Sequence, residues 1–291
     1  MRLNDILVKG TEILKKAGVE ESELDARLLL EYALGKSRTE IFLAARDVLA
    51  DSEISQYQHL IDRRAKREPV AYITGEQDFW TFTFTVTPDV LIPRPETEYL
   101  LEQVLLKTKT ENFQLGKIMD LCCGSGVIAT VLAHETGRTV YGVDISQKAL
   151  LVSQKNLIRH ELDHKVHLVQ GDLLSPFSRN PLFSLIVSNP PYVSNIDVAG
   201  NLEPEVAGFE PHLALDGGVR GMELIHTIRK QLELVLRPGG QFFMEFGADQ
   251  GDEIAALFES KQDGLSGFSR VEIIKDYAGR DRVLHAIKTE I

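Results

Sequence analysis

Apolar positions recur at helical spacing from the N-terminus to about residue 67. Ile6, Leu7, Ile13 and Leu14 share one side of a first helix that stops at Gly18. A second helix is expected from Ser22, a good N-cap residue, with Leu24, Leu28, Leu29 and Tyr32 on its apolar face and Gly35 at its end. A short third follows Thr39. A fourth begins near Asp51 or Ser52, carries Ile54, Tyr57, Leu60 and Ile61, and ends before Pro69. The period then shortens to two. Trp80, Phe82, Phe84 and Val86 fall on one face of a strand with threonines opposite, which reads as part of a β-hairpin. Pro95 suits the first position of a helix whose first turn carries Glu96 and Glu98.

Beyond residue 117, short apolar runs alternate with helical stretches. Strands are expected over 117–121, 139–143, 166–169, 183–187, 241–246, 271–274 and 283–287. Helices are expected near 146–159 and near 222–236, the latter ending at Pro238-Gly239-Gly240. Such alternation implies an α/β fold with a doubly wound, seven-stranded, mostly parallel sheet. The segment 194–215 reads as a long irregular stretch and a candidate lid or substrate loop. The expected organisation is a helical domain over 1–68 that binds or orients a partner, a hairpin linker over 69–90, and an α/β domain over 91–291.

Composition adds a few constraints. The 291 residues are 43% hydrophobic, enough for a sizeable core, and no apolar run is long enough to span a bilayer. The first residues lack the order of a secretory signal, so a soluble cytoplasmic protein is expected. The net charge of −11 argues against a generic nucleic-acid binder, which gains affinity by neutralising phosphates. The local exception is Arg63, Arg64, Lys66 and Arg67, read as the solvated end of a helix or a docking patch for an acidic partner. The only cysteines, Cys122 and Cys123, are adjacent in sequence. They form neither a plausible disulfide nor a metal site.

The chemistry concentrates after the run 183–187, at Ser188-Asn189-Pro190-Pro191-Tyr192. Open α/β sheets bind ligands beyond the carboxyl ends of their strands. Asn189 offers an acceptor oxygen and an NH2 group, Pro190 a carbonyl whose direction is restricted by Pro191, and Tyr192 a flat face. Two acceptors beside a planar wall suit a planar group that carries an NH2. Upstream, Asp120-Leu121-Cys122-Cys123-Gly124-Ser125-Gly126 joins a strand to a helix, where glycines allow close approach of a ligand to the backbone. Taken alone, this turn reads either as a nucleotide loop or as tight packing. Asp144, roughly 20 residues on, ends the second strand and can accept both hydroxyls of a ribose. Asp172 and Leu173 follow the third strand, where an acid can take an adenine amino proton with the leucine against the ring. A dinucleotide site would show Gly-x-Gly-x-x-Gly, which is absent.

Together, Asp120 to Gly126, Asp144 and Asn189-Pro190-Pro191-Tyr192 resemble a class I S-adenosylmethionine-dependent methyltransferase acting on an amide or exocyclic amino nitrogen. Three further stretches narrow the resemblance to the HemK/PrmC family, the peptide chain release factor N5-glutamine methyltransferases. They are Ile92-Pro93-Arg94-Pro95-Glu96-Thr97-Glu98, Ala214-Leu215-Asp216-Gly217-Gly218 and Ala278-Gly279-Arg280-Asp281-Arg282-Val283. Two positions depart from the family pattern. Cys122 stands where the first glycine is usual, and Arg220-Gly221-Met222 replaces an acid-Gly-Leu.

The resemblance implies a Rossmann-like methyltransferase domain and S-adenosylmethionine as cofactor, with S-adenosylhomocysteine as product. Its binding residues would be Asp120, Cys122, Cys123, Gly124, Ser125, Gly126, Asp144, Ile145, Asp172, Leu173 and Asn189. Asn189, Pro190 and Tyr192 would be catalytic, and Pro191, Arg94 and Glu98 would add substrate contacts. No metal is expected. The implied substrate is the glutamine of the Gly-Gly-Gln loop of class I release factors, met by a monomer without direct contact to nucleic acid or membrane. The alternative is an adenine-N6 or cytosine-N4 nucleic-acid methyltransferase with the same pocket around a flipped base.

Overall fold

The structure is a computed structural model that describes residues 1–110, 116–177, 181–260 and 267–290. The chain divides into two compact units: Met1–Glu76 with Glu203–Phe209, and Gln77–Leu202 with Glu210–Ile291. The division at Glu76 falls inside the segment expected as a linker. Among the described residues no helix is long and apolar enough to cross a membrane.

The first unit holds α1 (Leu3–Lys16), α2 (Ser22–Leu34), α3 (Arg38–Leu43), α4 (Asp51–Ala65) and α5 (Val70–Thr74). Ser37 and Glu40 form a capping box at the start of α3, and Glu53 reaches back to the Ala50 N–H at the start of α4. Ser22 is the first helical residue of α2 and caps nothing, contrary to expectation. The buried face of α2 also differs from the expected one. It is Ala26, Leu29, Leu30 and Ala33, whereas Leu24, Leu28 and Tyr32 are exposed. Two small alanines let neighbouring helices approach this face. Asp25 beside them is buried because Arg64 Nε donates to its carboxylate at 2.7 Å.

In the basic cluster at the end of α4 the three arginines are therefore paired, and Lys66 is exposed. Arg64 and Arg67 donate to the two oxygens of Glu205 at 2.8 and 2.6 Å, and Arg63 grips Glu68 with two nitrogens. The acidic partner for this patch comes from the same chain.

In the second unit, β1 (Glu76–Phe79) and β2 (Phe82–Thr85) form a hairpin. Trp80 was expected within a strand. Instead it sits in the turn with φ 58°, its N–H donating to Glu98. Next come α6 (Pro95–Thr110), β3 (Lys117–Leu121), α7 (Val127–Thr136), β4 (Val140–Asp144), α8 (Gln147–Arg159), β5 (Val166–Gln170) and β6 (Phe183–Ser188). The stretch after β6 is more regular than expected. Ser194 caps the short α9 (Asn195–Gly200), Pro204 opens α10 (Pro204–Phe209), which belongs to the first unit, and a 3-10 turn spans His212–Ala214. The chain ends with α11 (Glu223–Val235), β7 (Leu236–Glu245), α12 (Gly251–Glu259), β8 (Phe268–Lys275) and β9 (Asp281–Lys288).

The seven-stranded sheet has the order β5-β4-β3-β6-β7-β9-β8 and is parallel except for β9, which is antiparallel to both β7 and β8. Alternation along the strands feeds two cores. Ile118, Leu185, Val187 and Phe243 face α6, α7 and α8, while Met119, Ile186, Phe242 and Met244 face α11 and α12. The chain runs from β3 outward to β5 and then crosses to β6 on the other side of β3. The gap between the ends of β3 and β6 is thus a topological switch point.

One tight approach in the helical unit is open to test. A Cβ on Gly10 would lie 2.1 Å from the hydroxyl oxygen of Tyr57, a buried side chain that donates to Ala26 O at 3.1 Å. Gly10→Ala gains about 1 kcal/mol of helix propensity, but overpacking costs about 1–3 kcal/mol. The expected net effect, read by circular dichroism during urea unfolding, is a lower midpoint. Adding Tyr57→Phe, which removes the nearest atom, restores part of the loss.

Candidate active site

A cavity of about 460 Å³ opens at the switch point. Its walls come from the ends of β3, β4, β5 and β6, from the segment after the hairpin and from the turn before α11. Of the residues expected in the site, Arg94, Cys122, Cys123, Gly124, Ser125, Asp144, Ile145, Asp172, Leu173, Asn189 and Pro191 line it. Asp120, Gly126, Pro190, Tyr192 and Glu98 do not.

The loop after β3 is built around two carboxylates. Asp120 is fully buried, and its Oδ2 accepts from Ala129 N at 2.9 Å, so it caps α7 from beneath the loop. Burial, reinforced by Asp144 and opposed by that N–H, pushes its pKa up to about 8. Asp144 is half-buried. Its two oxygens accept from Gly124 N and Ser146 N, each at 2.8 Å, which ties the glycine loop to the start of α8. Burial raises this carboxyl as well, and the backbone N–H groups pull it back.

Cys122 has φ 63°, in the left-handed region together with Gly124 and Gly126. A side chain there costs about 1–2 kcal/mol, so the family's glycine has a steric reason. Burial raises both thiols far above the ordinary range; Cys122 packs against the core on the α11 and α12 side, and Cys123 is buried. Asn156 was not singled out from sequence. From α8 it accepts from Thr85 N and donates to Thr85 O and Ser125 O, clamping the loop to β2.

At the end of β6, Asn189 Nδ2 donates to Thr97 Oγ1 at 2.9 Å. Thr97, in the first turn of α6, donates to Glu245 Oε2 at 2.8 Å, and the Tyr192 hydroxyl donates to Glu245 Oε1 at 3.0 Å. Burial raises the Glu245 carboxyl, and the same burial with the adjoining Glu245 raises Tyr192. Thr97 and Glu245 escaped the sequence reading. A signal was present for Glu245, which ends β7 as Asp144 ends β4, with Asp120 one residue short of the end of β3. Thr97 lies inside a motif whose charged residues drew attention first.

The loop following Ala214 supports this segment from behind. Val193 N donates to Leu215 O and Gly217 N to Val193 O, and Gln250 Nε2 donates to Tyr192 O at 3.0 Å. A Cβ on Gly221 would lie 2.0 Å from Tyr192 O, so only glycine fits there. Arg220 points outward to Glu253, which explains why this position accepts a residue other than an acid.

Arg94 is at the cavity, but its guanidinium pairs with the buried Glu210, whose other oxygen accepts from Ile92 N. Glu98 holds the hairpin turn instead of the cavity mouth. Among the described residues there is no group of His, Cys, Asp and Glu able to hold a metal ion.

Residues 5–75 match the family described as PrmC N-terminal domain, and residues 98–219 that described as methyltransferase small domain. The release factor glutamine methyltransferase of Caulobacter vibrioides is 38% identical over 96% of this chain and 93% of its own length. That of Moorella thermoacetica is 37% identical over the full length of both. Among solved structures, the hMettl16 catalytic domain aligns with a TM-score of 0.55 at 17% identity, covering 84% of each chain. A methyltransferase from Pyrococcus furiosus aligns at 0.51 and 15% identity, covering 78% of this chain and 98% of its own. These two establish the fold class as that of a methyltransferase domain. Similarity to the full-length relatives goes further: the chain belongs to the release factor glutamine methyltransferase family.

Proposed function

We propose that this protein transfers a methyl group from S-adenosylmethionine to the side-chain amide nitrogen of the glutamine in the Gly-Gly-Gln loop of class I release factors. The observation that carries this reading is one cavity lined both by the glycine loop with Asp144 and by Asn189. Its volume of about 460 Å³ suits a nucleoside-sized cofactor. The donor set fits too: Asp144 offers a carboxylate to ribose hydroxyls, and Leu173 and Ile145 offer apolar walls for a base, with Asp172 beside them. When bound, the cofactor supplies an electrophilic methyl on a sulfonium.

The protein's task is to prepare the nitrogen. An amide nitrogen is a weak nucleophile because its lone pair is delocalised into the carbonyl. Its proton is too weakly acidic to be removed before attack. Asn189 Oδ1 and the Pro190 carbonyl would accept the two N–H hydrogens and aim the nitrogen at the methyl carbon. Orientation of this kind supplies up to about 7–11 kcal/mol. The same acceptors stabilise positive charge as it develops on nitrogen, and one proton leaves with or after transfer. Tyr192 would support the amide plane. The helical unit would orient the release factor, with Arg94 near the mouth. The protein is expected to act as a cytoplasmic monomer.

Mass spectrometry of a release factor incubated with this protein and S-adenosylmethionine is expected to show one added methyl on the Gly-Gly-Gln peptide. The same reaction with Asn189→Ala should show none, although that variant still binds cofactor. Full methylation by Asn189→Ala would refute the scheme. Asp144→Ala is expected to raise the cofactor dissociation constant at least about tenfold, the scale of a lost charge-assisted hydrogen bond. Isothermal titration checks this, and an unchanged constant would remove Asp144 from the ribose site.

A further inference from the structure

The side-chain amide of Asn189 carries an acceptor on one arm and a donor on the other, and a half-turn exchanges them. A site that must accept N–H hydrogens works in only one of the two orientations. The residues behind Asn189 decide between them. Nδ2 lies 2.9 Å from Thr97 Oγ1, which lies 2.8 Å from Glu245 Oε2. Thr97 is 3% exposed and Glu245 1% exposed, so water does not compete for these bonds.

The hydroxyl of Thr97 has one hydrogen. A carboxylate oxygen has none to offer, so that hydrogen goes to Glu245. Towards Asn189 the Thr97 oxygen can then only accept, and the arm facing it must be the NH2. Oδ1 is left as the free arm at the cavity that Asn189 lines. Tyr192 gives its hydrogen to the other oxygen of the same carboxylate, at 3.0 Å. Burial raises the Glu245 carboxyl, and the hydrogen bonds from Thr97 and Tyr192, with Arg282 nearby, oppose it in favour of the charged form. The relay joins the first turn of α6, the end of β6 and the end of β7, so no local stretch of sequence contains it.

We propose that Thr97 and Glu245 are positioning residues that fix the orientation of the Asn189 amide, so that the site presents an acceptor to an incoming NH2 group. This rests on the reading that Asn189 receives the substrate amide. With the relay broken, the amide can turn and set its own NH2 against that of the substrate.

The test uses the whole chain, three Thr97 variants and Asn189→Ala. Thr97→Val keeps the shape and removes both the donor and the acceptor, Thr97→Ala removes the hydroxyl without strain, and Thr97→Ser retains it. The first readout needs no substrate: solvent exchange of the Asn189 side-chain NH2 protons by 15N NMR, with the signal assigned by its loss in Asn189→Ala. Exchange is expected to be slow in the native protein and in Thr97→Ser, and faster in Thr97→Val and Thr97→Ala. The second readout is methylation of the release factor. Thr97→Val and Thr97→Ala should lower kcat about tenfold or more with cofactor affinity little changed, and Thr97→Ser should restore most of it. Native kcat in Thr97→Val, or a loss of kcat without faster exchange, overturns the proposal. If the native protein leaves the glutamine unmethylated, the substrate reading falls, and the exchange measurement still decides the orientation of Asn189.

Discussion

Buried and half-buried carboxylates at or beside the ends of parallel strands constrain this site more than any other feature. A charged group taken out of water must find donors or lose its charge; Asp144 and Glu245 find donors for both oxygens on other elements, whereas Asp120 finds one, and burial pushes its pKa up to about 8. Asp120 takes the N–H of Ala129 and so fixes where α7 begins. Asp144 takes Gly124 and Ser146 and so fixes the glycine loop against α8. Glu245 takes Thr97 and Tyr192 and so joins α6 to the segment after β6. The requirement to satisfy these acids assembles the cavity from pieces remote in sequence.

The sheet makes that possible. In the parallel register Leu121 lies beside Ser188 and Val143, which brings three strand ends to one level. Ser188 Oγ then donates to Leu121 O at 2.8 Å, so the glycine loop and the Asn-Pro-Pro-Tyr segment leave the sheet side by side. Chemistry placed there gains rigidity from β3 and β6 and freedom to vary from the loops that follow.

The helical unit follows the same logic of paired charge. Arg64 is buried because Asp25 and Glu205 neutralise it, and removing one partner from such a group costs about 3–5 kcal/mol. Glu205 lies in the stretch that follows the Asn-Pro-Pro-Tyr segment, so this stretch contributes α10 to the helical unit. Elsewhere the fold tolerates local strain. Cys122 holds a left-handed conformation that glycine would adopt more easily, and its side chain gains some return from the core beneath.

Much of this was legible along the chain, because period and punctuation are local. The seven strands, the helix opening at Pro95, and Asn189, Asp144 and the glycine loop as parts of one site all follow from alternation, turn residues and acids at strand ends. The errors arose where a choice depended on what lay opposite. Leu24, Leu28 and Tyr32 form as good a helical stripe as Ala26, Leu29, Leu30 and Ala33, and only the neighbouring helices and Arg64 select the second. Trp80 alternates like a strand residue until Glu98 captures its N–H in a turn. The basic cluster looked solvated because Glu205 is far away in sequence. Sequence by itself determined which polar and glycine residues gather at the strand ends around the cavity, since that depends on side-chain type and strand-end position. Tertiary structure alone decided how Asn189 is held, because a hydrogen-bond relay through Thr97 and Glu245 exists only once three distant segments meet.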